Sequence, residues 1–346
     1  MKRISILLII LAMLISCQNK NPLQTETETK VEKVVDRNTG NSIYYWRTTF
    51  RLSDEERKFL TDNQIQRLYL RYFDVSTDPD EFYGRKVPVP IATLQFLDSI
   101  PSNLEIIPTV FIDNELFKSS DMNDIDSLLV NRIFKMSITN DVPRFKEIQI
   151  DCDWTKTTES DYFEFLKKIR YRLDPKIKMS ATIRLHQLNM PEPPVDKGVL
   201  MCYNTGGIRS PQTNNSILSY NDVALYNKKV KDYVLPLDVA YPTFSWAVWF
   251  SRGKFQALLR GLTCDNKNIF RKKDNVYTVR NGFYQEGKYL AAGDEIRFEE
   301  SDFEEILKTK KLIESQLQEY SIILYHLDSK NLSKYSNDEI KQIYSH

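Results

Sequence analysis

Glu147-Ile148-Gln149-Ile150-Asp151-Cys152-Asp153-Trp154 alternates polar and apolar residues and ends in two acids. Strand side chains point to opposite faces in turn, so Gln149, Asp151 and Asp153 share one face while Ile148, Ile150 and Cys152 share the other. Tyr162, Phe163, Phe165, Leu166 and Ile169 then recur at helical spacing. A strand with one polar face, followed by a helix, fits a parallel barrel. Its apolar set packs on the outer helices, its polar set enters the barrel, and its acids reach the C-terminal end, where such barrels do chemistry. Two carboxylates there are a candidate acid/base centre. The competing structural roles are a turn cap for Asp153 and an internal ion pair with an arginine for Asp151.

The pattern repeats outward from this unit. Strand-like runs occur at 43–46, 66–73 and 104–112 before it, and at 178–185, 198–203, 234–241 and 320–327 after it. Helical patterns intervene: Ser53-Asp54-Glu55-Glu56 opens one as a capping box, and others cover 124–138, 222–233 and 303–318. Eight strands with intervening helices predict one (β/α)8 TIM barrel over residues 42–346, a length that accommodates ~250 residues of barrel plus insertions. Residues 77–92, with Pro79, Pro88 and Pro90, predict a long loop after strand two. Residues 244–300 are too many for one helix, and runs at 276–279, 282–284 and 288–296 joined by Asn281-Gly282 and Gly293-Asp294 predict a β insertion in the loop after strand seven. Such a loop overhangs the catalytic face.

The 48 basic and 47 acidic residues give a net charge of +1, so no global field favours nucleic acid, which is not an expected partner. Met1-Lys2-Arg3 and the apolar run 4–15 read as a secretory signal, too short for a membrane span. Leu14-Ile15-Ser16-Cys17 resembles a bacterial lipoprotein signal, which implies lipidation of Cys17. Residues 18–41, polar and without apolar period, then form a flexible tether. The expected location is the bacterial cell envelope, lipid-anchored, with Gln18 in place of an aspartate pointing to the outer membrane. Cys152, Cys202 and Cys264 lack the spacing of a disulfide framework or zinc site and are expected as buried thiols.

The predicted strand ends bring Trp46, Arg71, Asp74, Asp113, Asp151, Asp153, Arg184, His186, Tyr203, Asn204, Asp238, Tyr241, Trp246, Trp249, His326 and Asp328 to one mouth. Carboxylates, a few cations and large rings suit a glycan, with rings against C–H faces and charged groups on hydroxyls. Each residue also has a structural role open to it. Trp46 could be core, Asp238 could pair with Arg184 inside the barrel, Trp246 and Trp249 could anchor the insertion, and His326 could be a satisfied barrel histidine. Tyr203, ending strand six, has a hydroxyl that must find a partner, and the strand-four acids lie in reach across the barrel.

Several motifs resemble an uncharacterised family of bacterial barrel lipoproteins with a glycosidase-like fold. They are Gln149-Ile150-Asp151-Cys152-Asp153, the run 162–172, Met179-Ser180-Ala181-Thr182, and Asp238-Val239-Ala240-Tyr241-Pro242 with Phe244-Ser245-Trp246. More distantly the chain is similar to chitinase-like glycoside hydrolases, in which strand four ends in alternating acids and a tyrosine closes strand six. That resemblance implies Asp153 as general acid, Asp151 as orienting acid and Tyr203 as partner of the substrate's acetamide. The acid position holds Asp153 in place of the usual glutamate; with the register shifted by two it would hold Thr155.

The expected function is thus glycoside hydrolase-like action on a glycan, with Asp153 kept protonated by burial and the Asp151 charge. The alternative is a barrel that binds carbohydrate without cutting it. A metal-dependent deacetylase would want histidines at ligand spacing, and the chain has only His186, His326 and His346. No cofactor is expected, since the 10 glycines form neither GxGxxG nor a P-loop, and Ser/His/Asp hydrolysis lacks a nucleophile elbow.

Overall fold

Eight short strands close into a parallel barrel in this computed structural model, which describes residues 40–80, 85–119 and 122–345. They are β1 (Ser42–Tyr45), β2 (Arg67–Asp80), β3 (Glu105–Ile112), β4 (Glu147–Cys152), β5 (Lys178–Arg184), β6 (Lys197–Met201), β7 (Leu237–Pro242) and β8 (Ile322–Tyr325). Each pairs in parallel with its successor, and β8 pairs with β1, so the ring has no edge. This is the predicted (β/α)8 barrel. The lipoprotein signal with Cys17, and the tether as far as residue 39, lie outside the described residues.

The outward faces explain the closure. Ile148, Ile150, Leu200, Val239 and Leu324 are fully buried against helices such as Glu159–Arg172, whose apolar stripe is Tyr162, Phe165, Leu166 and Ile169. Trp154, just beyond β4, is also fully buried; its ring stacks on Tyr162 at 6.0 Å, and Gln187 Nε2 donates to its carbonyl at 2.9 Å. That anchoring fixes the end of the acid-bearing strand. Cys152, Cys202 and Cys264 are free and buried, and burial pushes the Cys152 and Cys202 thiols up, away from nucleophilic use.

Inside, polar side chains stack in layers along the axis. Near the N-terminal ends, Lys197 Nζ lies 3.1 Å from Glu147 and 2.7 Å from Asp238, which also accepts from the Ser321 amide at 2.8 Å. Above them, Tyr44 donates its hydroxyl to Gln149 Oε1 at 2.7 Å. The upper layer holds Asp151 and Thr182, 2.6 Å apart.

Three local expectations differ from what is found. The prolines at 88 and 90 belong to a strand, Arg85–Ile91, that returns antiparallel along the outer part of β2. Proline is tolerated there because this is a sheet edge, where its missing N–H breaks no ladder. The helix expected over 222–233 breaks into Tyr220–Ala224 and Asn227–Asp232. β4 ends at Cys152, so Asp153 stands just past the strand.

Beyond β7, residues 245–300 build a five-stranded antiparallel sheet around a second apolar cluster that includes Leu259, Phe270, Val279 and Ile296. A hairpin, Phe283–Gln285 with Lys288–Leu290, adds to it. Arg297 and Glu299, both buried, tie this sheet to the loop after β6: Arg297 donates to the Ser210 and Ile208 carbonyls, and Glu299 accepts from Ser216 and from Trp246 Nε1.

Candidate active site

At the C-terminal mouth, one guanidinium joins the two strand-four acids. Arg184 donates from Nη2 to Asp151 at 3.1 Å and from Nε to Asp153, whose side chain is 57% exposed. Asp151 is buried, and burial raises its pKa; Arg184 lowers it and the Asp153 charge raises it further. The deeper acid is the buried one. Asp153, expected as buried, lies beyond the strand, exposed to water and paired with Arg184. Thr155, the alternative acid position, carries no carboxyl and instead packs its hydroxyl 3.0 Å from that of Thr157.

Aromatic rings floor the mouth beside this triad. Tyr203 stacks on Tyr325 with centroids 5.0 Å apart, and Tyr325 also meets Tyr44, Trp46 and Phe244. The Tyr203 hydroxyl donates to Met201 Sδ at 2.7 Å and not to the acids, as the sequence had suggested it would. Alternation explains the contact, since Met201 and Tyr203 share the inward face.

Arg71 and Asp74 pair on the same side, although a regular strand would set residues three apart on opposite faces. The register of β2 against β3 shifts between Arg71 and Phe73, and this bulge turns both inward. The Arg71 guanidinium lies 5.4 Å from the Trp46 ring centroid. Asp113 stands on the rim, accepting from Ser76 at 2.9 Å and from the Glu115 amide at 3.0 Å.

Three predicted residues lie elsewhere. Asp238 is the second residue of β7 and belongs to the opposite end of the barrel, where it pairs with Lys197 and not with Arg184. Tyr241, fully buried, has the outward parity, near Cys202 and Tyr320. Trp249 donates to Asp294 at 2.9 Å and packs in the core of the insertion. Trp246 is the tryptophan at the mouth, its ring 5.1 Å from Phe244 and held by Glu299 at 2.7 Å. His326 is half-buried beside Tyr325, and desolvation pulls its pKa down to about 4, so its imidazole is neutral at pH 7.

Tyr325 and Phe244 were missed, and the signal for Tyr325 was present. In the run 320–327, period-two alternation puts Tyr325 on the inner face, while the polar character of His326 drew the choice.

No protein-family model matches the chain, and no curated protein matches it. Among solved structures, a chitinase from Chromobacterium violaceum superposes with a TM-score of 0.52 at 9% identity, covering 89% of this chain and 99% of that one. The Bacillus cereus spore cortex-lytic enzyme SleL does so with a TM-score of 0.51 at 12% identity, covering 89% of this chain and 74% of that one. The chain therefore has the barrel fold of chitinase-like glycosidases.

Proposed function

We propose that the mouth binds a glycan and acts on it in the manner of a glycoside hydrolase, through the carboxylates that follow strand β4. The observation that carries this is the meeting of Asp151, Asp153 and Arg184 beside the Tyr203–Tyr325 stack. Asp153, exposed, reaches a bound sugar and exchanges the proton at the leaving oxygen. Asp151, buried with a raised pKa, lies behind it as the second carboxyl on Arg184. The sugar's own acetamide attacks from the other side of the ring as the leaving oxygen takes the proton of Asp153, and water then opens the resulting ring while Asp153 takes its proton back, so a single outward acid suffices. The lipoprotein-type leader read at Cys17 supports a bacterial envelope location for this activity.

Hydrolysis is tested by incubating the protein and its Asp153→Asn variant with peptidoglycan, chitin oligomers and plant polysaccharides, and counting new reducing ends by mass spectrometry. Release by the parent alone is expected. One observation favours a second reading, a barrel that binds without cutting: Arg184 already neutralises the acid that should donate. Equal silence from parent and variant, with glycan retained by both, would select it.

Either reading makes Tyr325 a platform. Tyr325→Ala is expected to weaken binding of a chitin oligomer by about tenfold, the scale of one lost ring contact. Calorimetry checks this, and unchanged affinity would remove the stack from the binding surface.

A further inference from the structure

The overall charge balance hides a local excess. Residues 252–290 hold nine Lys and Arg against three Asp and Glu, in a chain whose total is +1. All nine cations are exposed, and among the described residues none is paired with a carboxylate. Three of them, Arg271, Lys272 and Lys273, are consecutive on the strand Phe270–Lys273, which is one edge of the insertion sheet. An exposed sheet edge bearing charges is protected from pairing with another chain, but that protection needs neither nine charges nor one sign.

Two further features give this surface a direction. Leu259 pairs with Ala247, so the next pair outward sets Arg260 opposite Trp246, whose ring packs on Phe244 and so reaches Tyr325. The Arg260 charge, just past the opposite edge strand Lys254–Leu259, acts on both Tyr325 and His326, which puts that cation at the mouth. Farther out, Tyr284 and Tyr289 face each other across the hairpin, 74% and 54% exposed, with ring centroids 5.1 Å apart. Gly282 leaves room for this pair, since a Cβ there would lie 2.2 Å from the Tyr289 hydroxyl.

We infer that the insertion is a binding surface for an acidic polysaccharide, one bearing carboxylate or sulfate groups, and that it leads such a chain past Arg260 into the mouth. Unpaired cations supply attraction over about a Debye length. The exposed rings supply faces for sugar C–H groups, which a bare polyanion would not use. The inference rests on the glycan reading above in taking the polyanion to be a polysaccharide, but it does not require that any bond be cut.

The test uses the full chain without its leader and measures binding to polygalacturonate, to a neutral β-glucan, to vesicles of anionic phospholipid and to duplex DNA. The expected result is binding to polygalacturonate that weakens as salt is raised, and that falls about tenfold or more in the Arg271→Gln, Lys272→Gln, Lys273→Gln triple variant. Tyr284→Ala should weaken polygalacturonate without changing the salt dependence. An unchanged melting temperature establishes that the variants are folded. Binding of vesicles or DNA in place of polygalacturonate would overturn the proposal, as would equal binding by parent and triple variant. Loss of hydrolysis in the reducing-end assay with polygalacturonate binding intact would strike only the hydrolase reading.

Discussion

Replacing Lys197 with methionine is expected to lower the free energy of unfolding by about 3–5 kcal/mol, because removing one partner of a buried ion pair strands the other. Lys197 is 17% exposed and lies between Glu147 and Asp238. Burial works against its charge, yet Glu147, Tyr69 and Asp238 more than offset that and raise its pKa. Urea unfolding checks the loss, which should appear as a lower midpoint at unchanged slope.

The same variant carries a pH signature. Burial pushes the Asp238 pKa up, but Lys197 and Arg67 outweigh burial, so the folded value lies below the unfolded one, about 3.9. The stability this contributes is present above about pH 4 and is lost as pH falls through the folded value. Without Lys197 much of that dependence goes. The gap between parent and variant should narrow below about pH 4, and a constant gap would mean that Lys197 acts by packing alone.

Arg184→Gln is expected to reduce hydrolysis about a hundredfold or more, the range in which a misplaced acid/base group costs rate. Arg184 is what holds down a pKa that burial and the Asp153 charge raise. Taking it away drives the Asp151 pKa further upward, so a limb of the pH–rate profile that follows Asp151 should move to higher pH. Stability follows the same sign. A carboxyl with a raised folded pKa contributes stability that is present below its unfolded value and lost as pH rises through the folded one, and the variant should lose more of it. Carboxyl NMR titration reads the shift directly, and an unmoved profile would reduce Arg184 to a structural tie.

Much of the barrel was legible because parallel strands buried on both sides are nearly continuous apolar runs, and β4 shows both that run and the polar alternation facing inward. Ends were harder. β7 begins at Leu237, three residues later than the apolar pattern begins, and that offset moved Asp238 from the mouth to the opposite end of the barrel. The Arg71–Asp74 pair depends on a bulge at Tyr72, which no alternation rule announces. The Arg184 clamp could be named only as a pairing with some acid, since the choice between Asp151, Asp153 and Asp238 depends on how far each projects along the axis. The basic insertion was concealed by summing charge over the chain, and a count by segment would have found it.

The closure of the ring has a consequence for how the protein is made. β1 pairs with β8, whose partner residues lie about 280 positions later, and the Tyr344 hydroxyl donates to the Ser42 carbonyl at 2.8 Å. During synthesis the first strand therefore waits with one side unpaired until almost the whole chain has left the ribosome. At four residues, β1 offers a stray chain little to add to, and its brevity guards the nascent protein through that interval.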